Sequence, residues 1–367
     1  LLDVGTDNAG LRNDPLYLGE RVPRLRGEAF YEVVDAFIRA IHARWPRALI
    51  QFEDFSNNHA FPLLSLYRDR LLCFNDDIQG TGAVALAGVL SALRITGQTL
   101  AEQRVVFLGA GSAARGIADM IVAGMMEQGG LGLEEARGRV WMLDTGGLVT
   151  RERLEGLAGH KRAYARDEPP LSGLTEVIRR VRPTVMIGVC GQPGAFTEEA
   201  VRELHRYCQR PIVFPLSNPT SKAECTAEQV YGWTHGAALF ASGSPFQPVA
   251  RAGRLFVPGQ CNNMYIFPGV GMGAVSCHAR RVTDRMFYAA AQTLAAQVGE
   301  DSLRVGRLYP DLSLIREISA RIATAVCEVA FEQGVAGIER PEDLAGFIRG
   351  RMFHPHYVPY EPAPACA

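Results

Sequence analysis

Lysine is nearly absent from this sequence of 367 residues: among 38 basic residues, only Lys161 and Lys222 are lysines. Acidic and basic residues balance to a net charge of −1, and neither sign forms a block. Without a basic patch, the chain lacks the electrostatic footprint of a protein that binds nucleic acid or an anionic membrane. The charge pattern therefore argues against both kinds of partner. Any reaction that needs a lysine has two candidates.

Paired cysteines and long apolar runs are also missing. The eight cysteines never form a CxxC pair and lie far apart, which indicates free thiols in a reducing compartment and no zinc site. The longest apolar run, in GAVALAGVLSAL, is too short to span a bilayer. Because the sequence begins at Leu1 without methionine, we expect a fragment whose targeting peptide would not be visible. We expect a cytoplasmic location, with mitochondria and plastids left open.

Apolar runs and helical periodicities alternate along most of the chain. EAFYEVVDAFIRAIHARW predicts an amphipathic helix, and LIQFEDF and LLCFNDD predict short strands with a helix between them. Five further runs predict strands: RVVFLGAG, GRVWMLD, TVMIGVCG, PIVFPLSN and ALFASGS. Short apolar strands separated by helices indicate a parallel sheet covered by helices. We predict an α/β fold with a doubly wound sheet over 78–270, a smaller α/β segment over 1–77, and helices with an extended tail over 271–367.

A glycine-rich turn joins the first of these five strands to the next helix. In VVFLGAGSAARGIADM, Gly109 and Gly111 occupy the first two positions of a dinucleotide-binding fingerprint, and Ala114 occupies the third. Such glycines permit a tight turn and close approach of a pyrophosphate, while the helix N-terminus offers it unpaired N–H groups. With a strand before it and a helix after it, the motif predicts a Rossmann-type nucleotide site.

The coenzyme stays open between NAD and NADP. Asp144 ends the next predicted strand, where a carboxylate can bind the adenosine ribose and disfavour a 2′-phosphate. Downstream, Lys161 and Arg162 could bind a 2′-phosphate. An ordinary turn acid and a solvated charge run are the alternatives at these positions.

Four carboxylates stand at the ends of two predicted strands: Glu53 and Asp54 in LIQFEDF, and Asp76 and Asp77 in LLCFNDDIQGT. Aromatic and aliphatic neighbours surround them, so ionised oxygens there need a partner. A ligand set made of oxygens suits Mg²⁺ or Mn²⁺ better than Zn²⁺. Neighbours on a strand face opposite sides, so we expect one acid of the Asp76–Asp77 pair to reach the metal. These residues indicate a metal-assisted reaction on a small anion beside a nicotinamide, with solvated turns as the alternative.

Eight motifs across nearly the whole chain resemble the malic enzyme family, in the family's order: DVGTDN, NDPLYLG, LIQFEDF, FNDDIQGT, LGAGSAARGIA, LSNPTSKAECT, FASGSPF and PGQCNNMYIFPG. The resemblance implies an oxidoreductase that oxidises L-malate with NAD(P)⁺ and decarboxylates the product to pyruvate, using Mg²⁺ or Mn²⁺. It also implies a homo-oligomer, a dimer or a tetramer. The fold would then combine part of an N-terminal malic domain, a Rossmann-type domain and a helical C-terminal segment.

The resemblance also implies roles for single residues. Three would be metal ligands: Glu53, Asp54 and Asp77. Asp76 would pair with the catalytic lysine. Asn218 in LSNP and Asn263 in CNNMYIFPG would contact the substrate or the nicotinamide ribose, and Lys161 would favour NADP.

Two departures from the family pattern carry expectations. In the family, a lysine base, a tyrosine acid and an arginine that binds the substrate carboxylate precede DVGTDN, and this sequence contains none of the three. We therefore expect the 367-residue chain to bind metal and coenzyme poorly and to turn over malate negligibly. The second departure is Cys261, which replaces a glycine and would crowd the loop that carries Asn263.

Three alternatives remain at this point. Malolactic enzyme, a relative, would form lactate with no net NAD(P)H. The second alternative is a noncatalytic nucleotide-binding subunit, in which the absence of the catalytic groups would be a natural feature of the protein. An unrelated dehydrogenase with this nucleotide fold would not depend on a metal ion.

Overall fold

The computed structural model describes residues 2–357. Its α-helices are α1 (Ala9–Asn13), α2 (Glu28–Arg44), α3 (Asn57–Tyr67), α4 (Thr81–Thr96), α5 (Ser112–Gly129), α6 (Leu133–Arg137), α7 (Leu174–Val181), α8 (Glu198–Tyr207), α9 (Ala227–Trp233), α10 (Phe267–Ser276), α11 (Asp284–Ala296), α12 (Glu300–Arg304), α13 (Ile315–Glu332) and α14 (Leu344–Arg351). Its strands are β1 (Ile50–Phe52), β2 (Cys73–Asn75), β3 (Val105–Leu108), β4 (Val140–Asp144), β5 (Gly147–Leu148), β6 (Val185–Gly188), β7 (Ile212–Pro215), β8 (Leu239–Ser242), β9 (Val249–Arg251), β10 (Arg254–Phe256) and β11 (Gly259–Gln260).

Residue contacts divide the chain into two compact units, the first ending at Ile50 and the second beginning at Gln51. The first unit contains α1 and α2. Two backbone hydrogen bonds, from Thr6 N to Val22 O and from Leu25 N to Val4 O, tie its early segments together. The amphipathic pattern of residues 28–45 thus correctly predicted α2.

A seven-stranded sheet dominates the second unit, in the order β11-β8-β7-β6-β3-β4-β5. Neighbouring strands are parallel except at one edge, where β5 runs antiparallel to β4. The five predicted strands are confirmed as β3, β4, β6, β7 and β8. The edge strands β5 and β11 have two residues each and carry no apolar pattern that would have predicted them.

Helices cover this sheet because its strands are apolar on both faces. Every residue of β6, β7 and β8 is buried, as is typical of parallel strands between helical layers. Outside the sheet, β1 pairs with β2 and β9 with β10. The predicted order strand, helix, strand over residues 50–75 is confirmed by β1, α3 and β2.

The helical stretch from Asp76 to Thr96 is long and apolar enough to cross a membrane by length and composition alone. Within the fold, 78% of its apolar window is buried. The stretch therefore fits the core helix of a globular fold, and its apolar residues need no lipid.

The C-terminal part is helical, and its first helix, α10, begins at Phe267, a few residues before the predicted start. Helices α11 and α13 form within DRMFYAAAQTLAAQV and SLIREISARIATAVCEVAFEQG, two segments in which apolar residues recur at helical spacing. Residues 353–357 form neither helix nor strand. The rest of the proposed extended tail, including Cys366, lies outside the described residues.

Candidate functional site

Strands β1 and β2 bring three of the four predicted acids together. Ligand oxygens of Glu53, Asp54 and Asp77 all lie within 4.8 Å of one another. The backbone N–H of Asp54 donates a hydrogen bond of 2.8 Å to Asp77 Oδ2. Asp54 adopts a left-handed backbone conformation with φ of 58°, which aspartate tolerates better than most residues but which still costs energy. The chain therefore holds a strained conformation where these carboxylates converge.

Asp76 and Asp77 do not lie on a strand. The alternation of strand faces therefore cannot be what separates their environments, and that premise is wrong. Strand β2 ends at Asn75, and residues Asp76–Gly80 form a π-helical turn that leads into α4. The Asn75 side chain caps this turn by accepting a 2.9 Å hydrogen bond from Ile78 N. The two acids still differ in environment, because the turn buries Asp76 and leaves Asp77 partly exposed. The sequence pattern, apolar residues followed by two acids, does not predict a π-helical turn.

Asp76 occupies a pocket that a glycine makes possible. Asn263 Nδ2 donates a hydrogen bond of 3.0 Å to Asp76 Oδ2, while Oδ1 has no hydrogen-bond partner within residues 2–357. A Cβ atom on Gly80 would lie 1.8 Å from that Oδ1, so only glycine fits at position 80. Burial, reinforced by the negative charges of Glu53 and Asp77, raises the pKa of Asp76 to about 7.

The cluster has the chemistry of a site for a hard divalent cation. Burial and the nearby charge of Glu53 raise the pKa of Asp77. Three carboxylates this close repel one another, and a cation between them would relieve that repulsion. Because carboxylate oxygens at this spacing are the ligands that Mg²⁺ and Mn²⁺ prefer, the residues present fit such an ion.

The glycine turn has the strand–turn–helix geometry of a nucleotide site. Gly109 has φ of 114°, and a Cβ atom there would lie 2.6 Å from Val189 O, so the position requires glycine. Helix α5 begins after Gly111, which presents the helix N-terminus to the crevice above the sheet. Ala114 is fully buried in the first turn of α5.

Gly116, which the fingerprint did not single out, lets helix α5 pack closely against its neighbours. A Cβ atom on Gly116 would lie 2.2 Å from Ile78 O, and one on Gly82 would lie 2.6 Å from Gly116 O. The small residues let α5 touch both the π-helical turn and α4. The acidic cluster and the glycine turn are thereby fixed to one another through backbone contact. A third glycine in GAGSAARGIA was the available signal.

Asp144 lies between two cations. Its carboxylate accepts hydrogen bonds of 2.7 Å from both Lys161 Nζ and Arg153 Nη2, and one of 2.9 Å from Gly146 N. Partial burial by itself would raise the pKa of Asp144, but the bonds from Lys161 and Arg153 outweigh it and lower the pKa. Arg153 was missed in the sequence, since nothing distinguishes it from other surface arginines. Arg162 instead donates to a backbone carbonyl of its own segment.

A short 3₁₀ turn, Gly159–Tyr164, places Lys161 near the glycine turn. His160 Nε2 lies 3.0 Å from the carbonyl oxygen of Ala110, inside the glycine turn. Arg115, on the first turn of α5, donates a 2.7 Å hydrogen bond to His160 O. These bonds dock the basic segment where the phosphates of a dinucleotide would lie.

The two predicted substrate asparagines are placed differently. Asn218 follows β7 and is exposed, and its Oδ1 accepts a 2.8 Å hydrogen bond from Ser244 Oγ. Its amide Nδ2 is thus the group presented to a ligand. Asn263, by contrast, gives its amide hydrogens to Asp76 and to Thr81 Oγ1. Their contacts with a substrate stay predictions.

Cys261, the residue expected to crowd the loop of Asn263, lies in the core. Burial raises the pKa of its thiol to about 12. Its backbone N–H donates a 2.8 Å hydrogen bond to Ser242 O, which continues the edge pairing of β11 with β8. An effect of its side chain on the loop stays a prediction.

Fold and site together define a class: a dinucleotide-binding α/β protein with an oxygen-rich acidic cluster beside its glycine turn. The family model described as "Malic enzyme, NAD binding domain" matches residues 78–331, and the one described as "Malic enzyme, N-terminal domain" matches residues 1–68. The chain belongs to the malic enzyme family. Because it spans both family domains, the expectation that it lacks the N-terminal segment is partly wrong.

Curated relatives and solved structures agree with this placement. The chain is 48% identical to an NADP-dependent malic enzyme of Dictyostelium discoideum, with 97% of this chain and 66% of the relative covered. It is 47% identical to an NAD-dependent malic enzyme of Cronobacter sakazakii, with 98% and 65% covered. The chain thus spans slightly less than two thirds of these relatives.

Among solved structures, a malic enzyme from Pyrococcus horikoshii has a TM-score of 0.68 at 27% identity, with 86% of this chain and 69% of that chain covered. A malic enzyme from Entamoeba histolytica has a TM-score of 0.70 at 24% identity, with 90% and 65% covered. These likenesses show that the chain shares their fold.

Proposed function

We propose that this protein oxidises L-malate and decarboxylates the product to pyruvate and CO₂, with reduction of NADP or NAD. The main support for this proposal is the acidic cluster of Glu53, Asp54 and Asp77. Close backbone packing of helix α5 against the π-helical turn joins this cluster to the glycine turn. In this reaction the C2 hydrogen leaves as a hydride to the nicotinamide and the hydroxyl proton leaves to a base. The C3–C4 bond then breaks, CO₂ departs, and a proton is added at C3. Relatives named as NADP- and NAD-dependent malic enzymes support this assignment.

The acids have separate roles in this proposal. Glu53, Asp54 and Asp77 would hold Mg²⁺ or Mn²⁺, which would supply Lewis-acid polarisation of the C2 oxygen of malate. Asp76 stands beside them, fixed through Oδ2 by Asn263, and would pair with the cationic base. Asn218 can donate its amide N–H to a carboxylate or carboxamide oxygen.

We further propose that NADP is preferred over NAD. Asp144, the acid that would bind the adenosine ribose, already accepts hydrogen bonds from Lys161 and Arg153. Two cations at this position favour a 2′-phosphate, because both can turn their charge toward it. In addition, Asp144 repels a 2′-phosphate less when its negative charge is paired with these cations than an unpaired carboxylate would.

The direct test uses the protein isolated from its natural source, supplied with L-malate, Mn²⁺ and each coenzyme. We expect one pyruvate and one reduced coenzyme for every malate consumed, with a lower KM for NADP⁺. Chelation of the metal should stop the reaction. Lactate formed without reduced coenzyme would assign a malolactic reaction instead, and turnover that survives chelation would overturn the role of the acidic cluster.

A further inference from the structure

A carboxylate with no role in the proposed reaction lies fully buried after β7. Glu224 has a relative exposure of 0%, and its oxygens accept hydrogen bonds from Cys190 N at 2.9 Å, from Ser217 Oγ, and from Ser217 N at 3.4 Å. The thiol of Cys190 also points at it, with Sγ 3.4 Å from Oε1. No arginine or lysine pairs with Glu224 among residues 2–357. Burying a carboxylate without a cation costs free energy of folding, and here only hydrogen bonds offset that cost.

The partners of Glu224 belong to two neighbouring parallel strands. Cys190 follows β6, and Ser217 follows β7, so the carboxylate joins the carboxyl ends of both. Ser217 Oγ also accepts a 2.8 Å hydrogen bond from Gly191 N, which adds a second link between the same two loops. A Cβ atom on Gly188 would lie 2.6 Å from Glu224 Cδ, so glycine there makes room for the carboxylate. We call Glu224, Ser217 and the backbone of residues 190–191 the strand-end clamp.

The strand-end clamp lies next to the switch point of the sheet. Strands β3 and β6 are neighbours, and the following strands extend away on opposite sides, β4 on one and β7 on the other. Dinucleotides bind across the crevice that such a switch point opens at the carboxyl ends of the strands. Val189, one residue before the clamp, has its carbonyl against Gly109 of the glycine turn. The clamp thus forms the wall of the crevice opposite Asp144.

The two walls serve different halves of a dinucleotide. In a doubly wound sheet, the half built on β3 and β4 receives the adenosine and the other half receives the nicotinamide nucleotide. Asp144 and Lys161 stand on the adenosine side. Glu224 stands on the nicotinamide side, and Ser217, which it holds, directly precedes Asn218.

We propose that Glu224 is a positioning residue that fixes the loops after β6 and β7 as the binding surface for the nicotinamide half of the coenzyme. This inference rests on the proposed use of NADP or NAD. A carboxylate suits the task because both its oxygens are acceptors and can hold several N–H, O–H and S–H donors at once. Glutamine at this position would turn an N–H₂ group toward one of these donors and weaken the clamp.

The test compares whole coenzymes with their adenosine halves. Binding of NADPH and NADH, and of 2′,5′-ADP and ADP, would be measured by fluorescence and calorimetric titration for the unchanged protein, Glu224→Gln and Ser217→Ala. We expect both variants to bind the whole coenzymes about tenfold more weakly, because hydrogen bonds to a charged group are lost. Binding of the adenosine fragments should stay within about twofold of the unchanged protein.

Glu168→Gln is the matched control. Glu168 is a largely buried carboxylate bonded to Trp141 Nε1 and Arg166, near the start of β4 and away from the crevice mouth. Its replacement should lower thermal stability without changing coenzyme affinity. Equal weakening of fragments and whole coenzymes in Glu224→Gln, or no weakening of either, would overturn the inference. Failure of the unchanged protein to bind any coenzyme would instead overturn the proposed function.

Discussion

Lys161 shows how a single ion pair can bear on coenzyme choice. Its ammonium lies 2.7 Å from Asp144 and is partly exposed, so it can exchange its carboxylate partner for a phosphate. The partly buried Arg153 donates a hydrogen bond to the other oxygen of the same carboxylate. In the proposed preference for NADP, one acid and one phosphate would compete for these two cations.

Replacement of Lys161 tests this competition. We expect Lys161→Ala to weaken NADPH binding by roughly tenfold while NADH binding changes little, because one charge-assisted hydrogen bond to the 2′-phosphate is lost. Titration of both coenzymes measures the effect. Lys222→Ala, at the other lysine, is the matched control and should change neither affinity. Equal losses for both coenzymes in Lys161→Ala would contradict a role at the 2′-phosphate.

The sequence predicted which acids lie close together but not how they are arranged. Glu53, Asp54 and Asp77 could be selected because carboxylates stand beside apolar runs, and the structure does bring them together. The separate environment of Asp76 depends on a π-helical turn and on Gly80, and neither follows from a pattern of apolar and charged residues. Glu224 gave no signal at all, since its burial depends on loops from two distant strands.

At the scale of elements, glycines set the distance between α4, α5 and the π-helical turn. Gly116 and Gly82 bring backbone against backbone, where any side chain would force the helices apart. This crossing connects the nucleotide turn at the start of α5 with the acids at the start of the π-helical turn.

Gly116→Ala tests that connection. The new methyl group would meet a carbonyl oxygen at 2.2 Å, so we expect a loss of about 1–3 kcal/mol in the free energy of unfolding, with weaker Mn²⁺ binding as the turn shifts. Chemical denaturation and metal titration measure the two effects. Gly350→Ala, at a helical glycine of α14 with open space around its Cβ position, should be neutral or slightly stabilising. If Gly116→Ala were as stable as the unchanged protein, the close packing of α5 against the π-helical turn would not be needed for stability.

Element types followed from the sequence wherever apolar runs were long enough. The five central strands are continuous apolar runs, and the helices α2, α11 and α13 have clear helical periodicity. Two-residue strands at the sheet edges, and the hairpin of β9 and β10, have too few residues for a pattern to appear. The order of the strands in the sheet could not be predicted from the sequence either, because it depends on how the crossover connections pack and not on any one segment.

At the scale of the whole molecule, a doubly wound sheet supplies the crevice and a separate pair of short strands supplies the acids. Strands β1 and β2 lie outside the large sheet, yet the turn after β2 continues directly into α4 of its helical layer. The chain thus joins two sites by covalent continuity as well as by the α4 and α5 contact. We therefore expect the acidic cluster to bind one divalent cation beside the coenzyme crevice.

Mn²⁺ binding by the 367-residue chain, followed by electron paramagnetic resonance of the free ion, tests that claim most directly. We predict one weak site in the unchanged chain and an affinity lower still by roughly tenfold or more in Asp77→Asn, since a neutral group replaces one of three charged ligands. Asp76→Asn should bind Mn²⁺ nearly as well as the unchanged chain, and so should Asp301→Asn, a control at an exposed acid of α12. Unchanged Mn²⁺ affinity in Asp77→Asn, or equal losses in Asp76→Asn and Asp77→Asn, would contradict the account.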